Sequence, residues 1–324
     1  MRQQTILAVD LGGTKVLVGE VDASGTVITH HKTPSNVASQ ALAAADIERQ
    51  IAAYLRQPRP DTQICGIAVD LVGRVDSTQG IWNEISPANA KPLALAQRLR
   101  ARFGLPCVIL NDLVAATYAE QRLGIGKTYS DFLYLAIGTG IAGRLVVDGH
   151  LLLGRDNDAG ELGHMVVDQH SDVRCICGRY GCVEPLASGL GMAHRVQTLA
   201  SRYEGRTSLK VAATRLPAIA DVFAAYDAGD PLAREVVDEA LLALANLVMN
   251  VVRLTNTKAV RLGGGVTTGG WLAAHLQPLL ANDTMRFVTG GVANTTLDPN
   301  RIALQGCGLY GFEQLEAKND AACS

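Results

Sequence analysis

Between Glu161 and Glu184 the chain carries His164, Cys175, Cys177 and Cys182 within nineteen residues, with a carboxylate at each end of the stretch. Imidazole and thiolate are the ligands that Zn²⁺ prefers, and four of them complete a tetrahedral shell with no open position for water. The stretch therefore predicts a structural zinc that pins a loop. Glu161 and Glu184 are not needed as ligands, which leaves them to accept hydrogen bonds from a polyhydroxyl compound. Cysteine is also a small buried hydrophobe, and that reading suits Cys65, Cys107 and Cys307, each within an apolar run. It suits the loop cysteines poorly, because they share their loop with Gly178, Arg179 and Gly181. Cys-x-Cys neighbours rarely bridge each other, so a disulfide fits no better.

Two glycine turns offer a second chemistry. Asp10-Leu11-Gly12-Gly13-Thr14-Lys15 lies between apolar runs at residues 6–11 and 16–21, and Gly138-Thr139-Gly140 lies between runs at 132–137 and 144–147. Gly-Gly between two strands is a hairpin signal. Such a turn also lets backbone N–H groups approach a phosphate, with a threonine hydroxyl as a further donor and Lys15 as a nearby charge. Neither is a P-loop, which needs a different glycine spacing and leads into a helix. Asp10 beside its turn is a candidate Mg²⁺ partner acting through water, since Mg²⁺ keeps much of its hydration. Gly263-Gly264-Gly265 follows a short apolar run and precedes a helix expected from near Thr268, a place where a nucleotide can approach backbone closely.

Asn111-Asp112 stands at the end of the apolar run Cys107–Leu110. Either residue can cap the helix that follows. Equally, the carboxyl end of a strand is where open α/β sheets hold their ligands, and a general base belongs there. The residues alone leave both readings open. Arg74, next to Gly73 in a run read as a loop over residues 70–76, is by itself a solvated charge.

The elements that position these groups alternate. Strands are expected at 6–11, 16–21, 27–31, 64–69, 107–110, 132–137, 144–147, 258–262 and 302–304. Helices are expected at 38–55, 92–102, 186–202, 217–226, 231–254 and 306–315, the one at 231–254 being apolar enough to sit in a core. The repeat of strand, glycine turn and strand in each half suggests a duplicated architecture. With 324 residues the chain is long enough for two domains. We place them at residues 1–123 and 124–305, with the helix at 306–317 packing back on the first and the zinc loop at 164–182 in the second. A net charge of −2 gives no basic surplus for nucleic acid, and no run reaches membrane-spanning length. Seven cysteines and a start too weakly apolar for a secretory leader point to the cytoplasm.

Together these pieces resemble the ROK sugar kinases. The carriers are Asp10 to Lys15, Asn111-Asp112, Gly138-Thr139-Gly140, Glu161-Leu162-Gly163-His164, Cys175-x-Cys177-Gly178-x-x-Gly181-Cys182-x-Glu184 and Gly263 to Gly265. The match runs from Ile6 to about Leu315. It implies the actin-like ATPase (ribonuclease H-like) fold, two α/β domains around a cleft. It implies ATP with Mg²⁺, a structural Zn²⁺ held by His164, Cys175, Cys177 and Cys182, and a homodimer or homotetramer. It also implies that Asp112 is the catalytic base for a hexose 6-hydroxyl, although it can cap its helix as well. Asn111, Asp112, Glu161, His164 and Glu184 would contact the sugar. Asp10, Gly12, Gly13, Thr14, Lys15, Gly138, Thr139 and Gly140 would serve the phosphates, and Gly263, Gly264 and Gly265 the adenosine.

The chain departs from the family pattern at Leu71-Val72-Gly73-Arg74, where Pro-Gly-Pro is frequent, and at Ala142, where glycine is frequent. Gly73-Arg74-Val75 is similar to the N-acetylmannosamine kinase domain of animal bifunctional enzymes, in which the matching Gly and Arg, and a hydroxyl residue matching Ser86, contact the amino sugar. Asn89 to Leu93 resembles bacterial N-acetylglucosamine kinases. The expected substrate is therefore an N-acetylhexosamine, with glucose, fructose or mannose as alternatives. Sugar-sensing repressors of the same family carry a DNA-binding domain ahead of the first turn. Only nine residues precede Asp10, so a kinase is expected rather than a regulator.

Overall fold

The computed structural model describes residues 2–86, 90–212 and 215–323, with side chains up to residue 315; Asn89 lies outside the described residues. Met1–Lys127, Leu153–Ala159 and Thr296–Ser324 make one compact unit, and Thr128–Leu152 with Gly160–Thr295 make the other. Among the described residues no helix is long and apolar enough to cross a membrane.

The first unit is built on β1 (Gln3–Leu11), β2 (Lys15–Asp22) and β3 (Val27–Pro34), followed by α1 (Gln40–Leu55), β4 (Thr62–Leu71), β5 (Arg74–Asp76), β6 (Ile81–Glu84), α2 (Leu95–Phe103), β7 (Cys107–Asn111) and α3 (Asp112–Arg122). Its main sheet has the order β3-β2-β1-β4-β7. β2 and β3 join antiparallel, whereas β4 and β7 extend the sheet parallel to β1. Side chains alternate across a sheet. Leu7, Val9 and Leu11, with Ile67, Val69 and Leu71, face one core with Ala43, Ile47 and Ile51 of α1 and Leu95 and Leu99 of α2. The other parity of β1 and β4 carries Ile6, Ala8 and Asp10 beside Gly66, Ala68 and Asp70. The run read as a loop over 70–76 is instead strand at both ends: β4 continues to Leu71, and Arg74–Asp76 pairs with β6 around buried Val75 and Trp82. A short turn at Val72-Gly73 separates the two, too brief to show as a break in the apolar pattern.

The second unit holds β8 (Phe132–Ile137), β9 (Ile141–Val147), β10 (His150–Leu151), α4 (Val183–Ala187), α5 (Gly189–Leu199), α6 (Ile219–Asp227), α7 (Pro231–Thr255), β11 (Ala259–Gly263), α8 (Trp271–Leu276), α9 (Asn282–Met285) and β12 (Val292–Asn294). Its sheet order, β10-β9-β8-β11-β12, repeats that of the first: an antiparallel hairpin continued by two parallel strands. The expected helix at 186–202 is divided into α4, α5 and a 3-10 turn, because Ser188 leaves helical geometry to cap α5.

Helix α7 is the central element of this core, with Leu241, Leu244, Leu247, Val248 and Val251 all buried. Its start is fixed by Pro231 in the first turn and by Asp230, which accepts the N–H groups of Leu232 and Ala233 at 3.0 Å each. The same carboxylate accepts the hydroxyls of Thr207 and Ser208. Burial pushes the Asp230 carboxyl up, but the donors of Ser208, Ala233 and Thr207 together outweigh burial and hold it below its ordinary value. Asp230→Ala should therefore cost about 2 kcal/mol in urea unfolding at neutral pH. A lowered native value means that the stabilisation is complete above the unfolded-state value of 3.8 and fades as pH falls below it. The difference between the two proteins should accordingly shrink in acid. A constant difference from pH 7 to pH 3 would assign the loss to packing alone.

The last element, α10 (Ile302–Cys323), corrects two expectations. Residues 302–304 are not a strand, and the helix does not end at 315. The N–H of Ile302 bonds to the Asp298 carbonyl at 2.9 Å and starts the helix there. Glycines at 306, 308 and 311, which weaken a helix read in isolation, are contact points. Side chains there would strike Ala115 of α3, Val21 of β2, and Ala68 and Ile6 of the sheet. They let α10 lie close on α3 and on the face of the sheet that carries Asp10 and Asp70.

Candidate active site

The first unit gathers its acids at the carboxyl ends of three neighbouring parallel strands. Asp10 of β1 is the register partner of Asp70 of β4, and Asn111 at the end of β7 pairs with Leu71. Asn111 caps α3: its Oδ1 accepts the N–H groups of Leu113 and Val114 at 3.1 and 3.2 Å. Its Nδ2 donates to the Gly73 carbonyl at 3.0 Å and to Asp112 Oδ1 at 2.9 Å. Asp112 Oδ1 also accepts the Leu113 N–H at 2.8 Å. The cap is thus supplied by Asn111, and the Asp112 carboxylate is oriented at the helix N-terminus, where the helix dipole favours its charge.

Asp10 and Asp70 are both buried, Asp70 completely. Neither Asp70 oxygen has a hydrogen-bond donor in good geometry, yet Asp10, Asp112 and the Cys307 thiol act on it. Burial, then the charges of Asp10 and Asp112, raise Asp70 well above the usual carboxylate range. Burial raises Asp10 too, but Lys15 and the neighbouring Asp70 work against that rise. Neighbouring buried carboxylates disfavour each other's charge, and the rise is the larger at Asp70. The Gly12-Gly13 turn that follows Asp10 closes through Gly12 N–H to the Lys15 carbonyl at 3.0 Å. A side chain at Gly13 would meet nothing within 4 Å, so the turn presents open backbone. Thr14 is exposed, and Lys15 Nζ reaches the Asn300 carbonyl at 3.3 Å.

Gly73 sits directly beside Asn111 through its carbonyl. Arg74 is held between Glu84 at 3.7 Å and Asp158 at 3.3 Å, and is therefore not simply a solvated charge. Ser86 is exposed, just before the undescribed stretch.

The second unit brings its glycine motifs together. Gly138 and Gly140 form the β8–β9 turn, closed by Gly138 N–H to the Gly140 carbonyl at 2.9 Å. Gly264, at φ +88°, lies against the carbonyl of Ile137, where a side chain would collide. Gly263 to Gly265 are thereby placed beside the turn. The expected helix near Thr268 is first a 3-10 segment, Gly265–Gly270, and then α8. A cavity of about 540 Å³ opens at this point, lined by Gly138, Thr139, Leu190, Pro217, Ile219 and Gly265 among others. Its lining is mostly apolar, which suits a flat heterocycle.

Glu184, in the first turn of α4, accepts the Ile141 N–H at 2.9 Å through Oε2. A side chain at Gly140 would meet that same oxygen at 2.6 Å, and one at Gly163 would meet it at 3.2 Å. The phosphate-type turn, the Glu161–His164 segment and Glu184 are therefore one cluster. Glu161 precedes a 3-10 turn, Leu162–His164, and its carboxylate is half exposed. His164 turns Nδ1 toward Cys175 Sγ at 3.3 Å, and the ligand atoms of His164, Cys175 and Cys177 lie within 4.8 Å of one another. Cys182 Sγ is 3.7 Å from Cys177 Sγ but donates to the His164 carbonyl at 3.3 Å. Three of the four expected ligands share one centre, with the fourth beside them. A donor set of imidazole and thiolates fits zinc.

Two residues at these sites are missing from the sequence reading. Asp70 follows the apolar run 64–69 just as Asp10 follows its own, and that parallel was the available signal. Arg144, buried on β9 within 3.9 Å of Glu161, shows in the sequence only as a charge opening an otherwise apolar run.

Residues 6–306 match the ROK family. The chain is 34% identical over 280 residues to an N-acetylmannosamine kinase of Yersinia pestis (strain Pestoides F), covering 85% of this chain and 87% of that one. It is 27% identical over 274 residues to a glucokinase of Halalkalibacterium halodurans, covering 83% of each. A solved structure from Listeria monocytogenes superposes with a TM-score of 0.79 at 26% identity, over 96% of this chain and 99% of that one. The actin-like ATPase fold of the sugar kinases is thus the fold of this protein, and the chain belongs to the ROK family.

Proposed function

We propose that this chain is an ATP-dependent hexose kinase that phosphorylates the 6-hydroxyl of an N-acetylhexosamine, N-acetylmannosamine in the first place. The observation that carries the reading is the Asp112 carboxylate, oriented by Asn111 at the carboxyl end of β7, in a chain 34% identical to an N-acetylmannosamine kinase.

In this reading Asp112 takes the proton of the sugar 6-hydroxyl as that oxygen attacks the γ-phosphate. The transition state of phosphoryl transfer is loose, so the residues act mainly by position and charge. Asn111, Gly73, Arg74 and Ser86 of the first unit contact the sugar, as do Glu161, His164 and Glu184 of the second. Gly12, Gly13, Thr14 and Lys15, with Gly138, Thr139 and Gly140, present donors to the phosphates. Gly263 to Gly265 border the adenosine, whose base fits the cavity by Pro217 and Ile219. Asp10 is the residue that would hold Mg²⁺ through water, and the ion supplies charge neutralisation on the phosphates. His164, Cys175, Cys177 and Cys182 would hold zinc, which fixes the loop and supplies no reaction step. Arg74 lies between Glu84 and Asp158, and its guanidinium is a donor that an acetamido carbonyl can accept from. The glucokinase relative supports plain glucose as the second reading.

An ADP-release assay with Mg-ATP tests the proposal across N-acetylmannosamine, N-acetylglucosamine, glucose, mannose and fructose. The expected result is kcat/KM at least about tenfold higher for N-acetylmannosamine than for any plain hexose, since one well-placed polar contact discriminates by that much or more. Turnover on plain hexoses alone would sink the amino-sugar assignment. Absence of turnover on every sugar, with folded protein, would sink the kinase.

A further inference from the structure

Strand β9 carries a charge where its neighbours are apolar. Arg144 precedes Leu145 and Val146 and is only 3% exposed. A guanidinium removed from water is costly unless acceptors and a counter-charge meet it. Its Nη1 lies 3.3 Å from the Gly143 carbonyl and 3.9 Å from Glu161 Oε1. The pair is lopsided: the arginine side chain is 3% exposed and the glutamate side chain 52%. A buried positive charge thus lies within 3.9 Å of Glu161 Oε1, while the glutamate side chain is half exposed.

The backbone shows that this contact is built into the fold. Gly160, at φ +106°, accepts the Gly143 N–H at 2.9 Å. A side chain at position 160 would strike both the Gly143 carbonyl and the Arg144 guanidinium. The chain passes directly over the buried guanidinium, and the next residue is Glu161. Only glycine both takes this conformation readily and leaves that space.

We propose that Arg144 is a positioning residue for Glu161, its buried guanidinium restricting that carboxylate to one orientation at the sugar site. The inference rests on Glu161 being a sugar contact. A carboxylate on a short turn samples several rotamers, and ordering it on binding costs affinity; presetting it removes that cost. The role assigned to Arg144 lies in binding, so its loss weakens sugar binding and leaves turnover at saturation. Lysine keeps the charge but loses the planar fork, so Arg144→Lys falls between wild type and Arg144→Met.

The test uses the full chain with N-acetylmannosamine in four variants: R144M, R144K, E161Q and R144M/E161Q. Sugar Kd is measured by calorimetry without ATP, and kcat and both KM values by the coupled assay. R144M is expected to raise sugar Kd and KM about tenfold, with kcat and ATP KM within about twofold. R144K should raise sugar Kd about threefold. The double variant should bind no more weakly than E161Q alone, because one removes what the other positions. An unchanged sugar Kd in E161Q would overturn the sugar role of Glu161. Weakened binding in E161Q with unchanged binding in R144M would overturn the inference about Arg144 alone. Should R144M fail to fold, R144K decides: a sugar Kd equal to wild type overturns the proposal.

Discussion

Asp112→Asn should lower kcat by about a thousandfold, within the usual range for losing a general base, while sugar affinity stays within about threefold. The geometry makes this a clean substitution. Helix α3 does not rely on Asp112 for its cap, because Asn111 supplies it. The Oδ1 of an asparagine can still accept from Leu113 N–H and from Asn111 Nδ2, which are the contacts that orient the native carboxylate. The variant therefore keeps shape and position and loses basicity. A melting temperature equal to wild type and an unchanged sugar Kd would place the loss in the chemical step. If turnover instead fell less than about tenfold, the 6-hydroxyl would need another proton acceptor, and the proposed role of Asp112 would fall.

The same residue shows how far the sequence alone carries the reading. Asn111-Asp112 at the end of an apolar run is legible as either a cap or a base, since both explanations ask for a short polar side chain at a helix start. The hydrogen-bond directions give the cap to Asn111, and the base role of Asp112 rests on the family resemblance. The paired sheets were legible through their repeated hairpins, because a glycine turn between two apolar runs is a local signal. Residues 302–304 misled through a local signal too. Ile302-Ala303-Leu304 is a short apolar run like those of the true strands, and only the bond from Ile302 N–H to the Asp298 carbonyl shows it to be the first turn of α10. Asp70 went unnoticed because its meaning comes from register with Asp10 across a parallel ladder. A parallel pairing spans a long crossover, so the shared position of the two acids at the ends of their apolar runs is the one trace it leaves in the sequence. Arg144 belongs to the same class, its partner Glu161 lying on a separate loop.

Removing one ligand from the proposed zinc site should have the second largest effect and should separate a folding role of the metal from a sugar-orienting one. The wild-type chain should carry about one zinc, and Cys175→Ser or Cys177→Ser should lose it, because a tetrahedral site tolerates no missing thiolate well. The loss should not unfold the second unit. Its core is carried by α7 and the sheet, while the loop adds only partly buried apolar side chains such as Met165, Val167 and Val173. A drop of about 5–10 °C in melting temperature is expected, far less than the collapse seen when a metal is the whole core. Sugar binding should suffer more. Cys182 is the residue from which α4 starts, and Glu184 lies in the first turn of that helix. His164 ends the segment that begins with Glu161. A loop freed at Cys175 releases both carboxylates together, so sugar Kd should rise at least about tenfold. The cavity beside Gly138 and Gly265 does not involve the loop cysteines, and ATP affinity should change little. Cys65→Ser serves as the control: Cys65 sits on β4, outside the loop. Metal content, melting temperature and the two affinities, read together, separate a folding role from a sugar-orienting one. Wild-type protein that binds sugar fully without any metal would remove zinc from the site altogether and leave the cysteines as packing.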